Sequence, residues 1–150
     1  MAYQRVLTIA TALGDVALEG GAMGLLGIIY YIKGDHSRAI AYLQRALAAC
    51  EGDRLYERNA GHNMLSVLCC NTLPQTLAER GAFATGREYG EEGRRIAAAV
   101  NHLYGQCLLC SSAGILHLRQ GDLPQAIAIL ETGLSLCQRD RKSTRLNSSH

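Results

Sequence analysis

Leu26 to Leu47 reads LGIIYYIKGDHSRAIAYLQRAL, with its apolar residues in two sets divided by Gly34-Asp35. Leu26, Gly27, Tyr30 and Tyr31 lie before the divide, and Ala39, Leu43, Ala46 and Leu47 after it. Spacings of three and four residues put each set on one face of a helix. Gly34 can take the left-handed conformation that ends a helix, and Asp35 can accept the orphan amide hydrogens that start the next. Small residues at Gly27, Ala39 and Ala46 let two antiparallel backbones come close. The stretch therefore predicts a helical hairpin.

Working outward, the same hairpin recurs. Gly34, Gly81 and Gly121 each follow a helical pattern, 47 and then 40 residues apart. At matched offsets after them come Ala39, Gly86 and Ala126, then Ala46, Gly93 and Gly133. At a matched offset before them lie Gly27, Pro74 and Gly114. Periodicity predicts an orphan helix over 3–13, ending at Gly14-Asp15, and helix pairs over 15–49, 62–100 and 104–138. The first helix of the middle pair is expected to begin near His62, and the last helix to end near Gln138. Internal glycines at Gly20, Gly21 and Gly24 weaken the first helix of the opening pair by about 1 kcal/mol each relative to Ala. Pro124 falls in a first helical turn, where its missing amide hydrogen does no harm. Glu91 stands three and four residues ahead of Arg94 and Arg95 and is expected to pair with them on an outer surface.

The pattern L-G-x-x-Y, G-D, A-x-x-x-L-x-x-A-L carried by Leu26 to Leu47 resembles the tetratricopeptide (TPR) motif. The resemblance implies an all-α solenoid of antiparallel helix pairs, about seven helices in all. It makes Gly27, Tyr30, Gly34, Ala39, Ala46, Gly81, Gly86, Gly93, Gly114, Gly121, Ala126 and Gly133 the repeat-packing positions. The middle pair departs from the pattern at Pro74, where a mid-helix proline costs about 3 kcal/mol unless the helix adjusts. In the third pair, His117 stands where the first has Tyr30. In TPR arrays the first helices line a concave face that grips a peptide or helix. Matched unit by unit, Tyr31, then Asn71, Gln75 and Glu79, then Ser111 and Arg119 fall on that face. GDHSRAIAYLQRALAACEGDRLYER, LAERGAFATGREYGEEGRRIAAAVNH and LHLRQGDLPQAIAILETGLSLCQ further resemble the TPR region of bacterial signalling proteins. Those carry a nucleotide cyclase domain and an ATPase domain ahead of the repeats. This implies a regulatory fragment with a protein or peptide partner and no enzyme activity or cofactor of its own. No Gly-Lys-Ser or Gly-Lys-Thr of a phosphate-binding loop occurs. The repeat region of an ATP-dependent transcriptional regulator is the alternative.

Asp140 to His150, DRKSTRLNSSH, resembles a sequencing adapter translated in frame and is expected to be a disordered artefact, with the natural chain continuing past Arg139. These eleven residues hold three of the 15 Lys and Arg side chains and one of the 13 acids, leaving 12 of each elsewhere. A neutral body argues against nucleic acid as partner. The longest apolar run, Ala22 to Ile32, has 11 residues, against roughly 20 for a membrane span. Tyr3 to Leu13 is amphipathic and is not a signal peptide. The six cysteines are therefore expected to remain reduced in a cytoplasm. Cys107-x-x-Cys110 with Cys69-Cys70 could in principle form a four-thiolate metal site, which would make the chain a small helical metal or thiol protein. All four lie on predicted helices, and adjacent residues there diverge by about 100°. Buried apolar thiols, Cys50 and Cys137 among them, are the expected state, with no metal. A Cys–His nucleophilic pair has nothing in the sequence to position it. His36 and His102, at helix starts, are expected to be exposed, and His117 to replace a packing tyrosine. Gly20-Gly21-x-x-Gly24-x-x-Gly27 superficially resembles a phosphate loop, but its helical context assigns it to close packing.

Overall fold

The computed structural model describes residues 2–58 and 64–147. Among these, seven α-helices follow one another: α1 (Ala2–Leu13), α2 (Val16–Ile32), α3 (His36–Ala48), α4 (Leu65–Ala78), α5 (Phe83–Ala99), α6 (Leu103–Gln120) and α7 (Leu123–Asn147). A short 3-10 turn (Gly52–Tyr56) and a lone antiparallel bridge between Arg58 and Met64 join α3 to α4. The architecture is an all-α helical repeat of TPR-like pairs, α2 with α3, α4 with α5 and α6 with α7. The expected helix start at His62 lies outside the described residues.

One turn chemistry joins these helices everywhere except between α3 and α4. Gly14, Gly34, Gly81 and Gly121 have φ of +67°, +76°, +72° and +84°, and Asn101 takes the same role at +49°. In each case the following amide reaches back five residues: Asp15 to Ala10, Asp35 to Tyr30, Ala82 to Leu77, His102 to Ala97 and Asp122 to His117, all at 2.8–3.0 Å. This bond satisfies a helix-terminal carbonyl and reverses the chain. At three of the turns an aspartate then caps the next helix. The carboxylates of Asp15, Asp35 and Asp122 accept the amides of Leu18, Arg38 and Gln125 at 2.9, 3.1 and 3.3 Å.

Within each pair the backbones meet through a small residue facing a large one. A Cβ on Gly27 would lie 2.6 Å from Leu43 Cγ, and one on Gly114 2.6 Å from Leu130 Cγ. In the middle pair the roles are exchanged: Pro74 occupies the place of Gly27, and Gly90 that of Leu43, with a Gly90 Cβ 3.7 Å from the proline ring. The same helix offers Gly86, against the Pro74 backbone and Leu116, and Gly93, against Cys70 and Leu109. Pro74 thus remains inside α4, fully buried, in room that α5 leaves for it.

α4 is the central element, packed on α2, α3, α5 and α6. Cys69 joins the apolar cluster of Leu43, Ala46, Leu73 and Leu77, while adjacent Cys70 joins that of Val67, Ile96 and Leu109. Its buried hydroxyls are bonded: Thr72 and Thr76 donate to the carbonyls of Leu68 and Thr72, and Ser66 to that of Leu55.

Several expectations require correction. α7 continues through Asn147 rather than stopping near Gln138, because DRKSTRLN contains no Gly or Pro to end it. Residues 140–147 are therefore helical rather than disordered, and 148–150 lie outside the described residues. Arg95 pairs with Glu92 rather than Glu91, since Glu92 lies on the side where Arg95 also meets Tyr56. His102 is buried, not exposed, its ring folded over Gly105, where a Cβ would collide with it. His36 is half-buried against Tyr31, ring centres 6.3 Å apart. His117 stands 3.7 Å from the Asp122 carboxylate.

Two thermal-melting experiments test this packing. Gly27→Ala should cost about 1–3 kcal/mol through the clash with Leu43, whereas Gly90→Ala, with only an ordinary contact to meet, should gain up to about 1 kcal/mol. Pro74→Ala restores an amide donor for Cys70 and relieves a cost of about 3 kcal/mol, against at most ~1.6 kcal/mol for two lost methylenes. The melting temperature should rise by a few degrees; a clear fall would show that the proline is the better fit.

Candidate interaction groove

The first helices of the pairs form one face of the protein. α2 packs on α4 and α4 on α6, while direct packing between successive second helices is sparse among the described residues. That face carries polar side chains because the register placing Leu26, Leu73 and Gly114 in the core turns Tyr31, Gln75 and Arg119 away from it.

These side chains are tied to one another across the helices. Tyr31 Oη donates to Gln75 Oε1 at 3.3 Å, and Gln75 Nε2 donates to the Asn71 carbonyl at 3.0 Å. The Asn71 carbonyl also accepts Ser112 Oγ at 2.6 Å. Farther along, Arg119 holds Glu79 with two nitrogens, at 2.8 and 3.0 Å. Tyr31 and Gln75 thus meet, as do Glu79 and Arg119, and the Asn71 backbone is bound into the network. Ser111 is exposed, and it is the neighbouring, fully buried Ser112 that crosses to α4. One step along the helix decides this, and sequence spacing alone did not distinguish the two serines.

Toward the starts of α2 and α4 lies a cavity of about 240 Å³. Ile28 and Leu68, among its lining residues, stand three and seven positions before Tyr31 and Gln75, on the same helical faces. The four-glycine run divides here. Cβ atoms on Gly20, Gly24 and Gly27 would meet Ala49, Leu65 and Leu43 within 3.2 Å, but one on Gly21 meets nothing within 4 Å. Gly21 therefore lines open space and takes no part in the close packing assigned to it. The signal was present in the sequence, since 20, 24 and 27 share a stripe and 21 lies off it.

Four of the thiols are held in the protonated form by their surroundings. Burial pushes the Cys70 thiol up to about 12, Cys69 well above its ordinary value, and Cys50 and Cys110 upward as well. A reactive thiolate needs the opposite shift. Among the described residues no group of three or more His, Cys, Asp or Glu side chains comes together. No helix among them is long and apolar enough to cross a membrane.

Residues 22–59 match the tetratricopeptide repeat family. The matched segment runs from within α2 through α3 and the 3-10 turn, and so contains the hairpin Leu26 to Leu47. No curated protein matches the chain.

The Glu79–Arg119 pair is half exposed on the arginine side, so its coupling should be small. A double-mutant cycle with Glu79→Ala and Arg119→Ala should give an interaction energy below about 1 kcal/mol, falling further in molar salt. A larger, salt-insensitive value would make the pair structural and remove both groups from use by a partner.

Proposed function

We propose that this protein is an interaction module that holds a segment of a partner protein along the face formed by α2, α4 and α6. The observation that carries this reading is a pair of polar links, Tyr31 to Gln75 between α2 and α4 and Arg119 to Glu79 between α6 and α4, which together span three successive first helices. Asn71, Gln75 and Glu79 repeat at one side of α4, and Tyr31 and Arg119 extend the surface to its neighbours. Side chains held by one another lose little freedom when a ligand arrives, which favours binding. Asn71 and Ser111 supply further polar groups. The partner is a protein or peptide, and binding involves no bond chemistry.

The TPR match of residues 22–59 supports this, since such repeats serve in protein–protein interaction. The resemblance to the repeat region of bacterial cyclase–ATPase signalling proteins supports a finer version. In it the module is a cytoplasmic regulatory part of a signal-transduction protein, and the segment it holds can belong to another domain of that protein.

A photo-crosslinking residue placed at Asn71 should capture a partner segment that the same residue at exposed Glu88 on α5 does not. A synthetic peptide of the captured sequence should then bind, with Gln75→Ala weakening it roughly tenfold. Capture at Glu88 with none at Asn71, or a peptide footprint on α3, α5 and α7, would overturn the assignment.

A further inference from the structure

The cavity between α2 and α4 is larger than close packing leaves by chance. Protein interiors have few voids bigger than a water molecule, and a cavity of about 150 Å³ suffices for a benzene ring. This one is about 240 Å³. Its walls are built from Ile28, Leu43, Leu65 and Leu68, with Gly21 contributing no side chain. Cys50 and Cys69 also line it, and both are held as neutral thiols by burial, so they behave as apolar surface. The interior therefore offers nothing to a charge.

The mouth differs. Arg54, Glu57 and Arg58 line it, giving two positive charges to one negative. Arg54 lies close enough for its charge to act on the Cys50 thiol in the wall. A ligand suited to this arrangement is apolar over most of its length and anionic at one end. Its hydrocarbon would leave water for the cavity, while its anion would stay at the guanidinium groups, which bind carboxylates through paired hydrogen bonds.

We infer that the cavity bounded by Gly21, Ile28, Leu65 and Leu68 is a binding site for a medium-chain aliphatic carboxylate, of roughly eight to ten carbons given its size, with Arg54 and Arg58 receiving the carboxylate. The site goes beyond the interaction face described above and does not depend on it, since it needs no partner protein.

The test uses the full chain and sodium octanoate. Backbone amide resonances of Gly21, Gly24, Leu65 and Leu68 should shift on titration, and those of α6 and α7 should not. By calorimetry, affinity should rise about fourfold per methylene from hexanoate to octanoate. Gly21→Leu places a side chain in the cavity on a helical backbone with room for it. This variant should melt no lower than the native protein and bind octanoate at least about tenfold more weakly. Arg54→Gln with Arg58→Gln should abolish the preference for octanoate over octan-1-ol while leaving the chain-length dependence. Absence of shifts at millimolar octanoate, undiminished binding to folded Gly21→Leu, or equal binding of octanol by the native protein would each overturn the proposal.

Discussion

Close approach of paired helices governs this structure. A helix pair can bury its small apolar faces only if one partner gives up side-chain volume wherever the other has it, because interiors tolerate neither void nor overlap. Gly27 yields to Leu43 and Gly114 to Leu130, and in the middle pair Gly90 yields to Pro74. The turns then set the direction in which each pair is joined. A left-handed glycine or asparagine and a five-residue backward hydrogen bond end α1, α2, α4, α5 and α6 while satisfying their last carbonyls.

The exchange of roles in the middle pair shows how a repeat tolerates a residue that breaks its pattern. A proline inside a helix loses a backbone hydrogen bond and brings a ring where neighbouring repeats have no side chain. Gly86 and Gly90 on α5 remove the obstruction on the facing side. The departure and its compensation lie 12 and 16 residues apart in the chain, yet one makes sense only through the other. The result places α4 at the centre of the protein, with most of its described side chains buried.

That centrality accounts for the chemistry the protein offers. Side chains of α4 that cannot enter the core emerge on one side, where Gln75 and Glu79 are taken up by Tyr31 of α2 and Arg119 of α6. Near the start of the same helix, Leu65 and Leu68 face an open volume, because Gly21 provides nothing to fill it. Cys50, Cys69, Cys70 and Cys110, by contrast, serve as buried apolar atoms, whereas Cys137, expected to be buried with them, is exposed on α7. Burial opposes ionisation of Cys69 and Cys70, and vicinal placement on a helix sends them into separate clusters.

Much of this was legible in the sequence. Spacings of three and four, Gly-Asp pairs at the turns and recurring small residues are local signals, and local backbone physics converts them directly into helices and turns. They determined the all-α repeat and the places where its helices turn. Other features were decided only in three dimensions, because they depend on what stands opposite. Gly90 is an ordinary helix-weakening residue until Pro74 faces it. Ser112 rather than Ser111 crosses to α4, His102 folds over Gly105, and Arg95 turns to Glu92 because of neighbours contributed by other segments. The same holds for the cavity, which exists because a glycine, two leucines and an isoleucine from separate helices surround one space. Periodicity reports which face of a helix is apolar, but it does not report the volume of what meets that face.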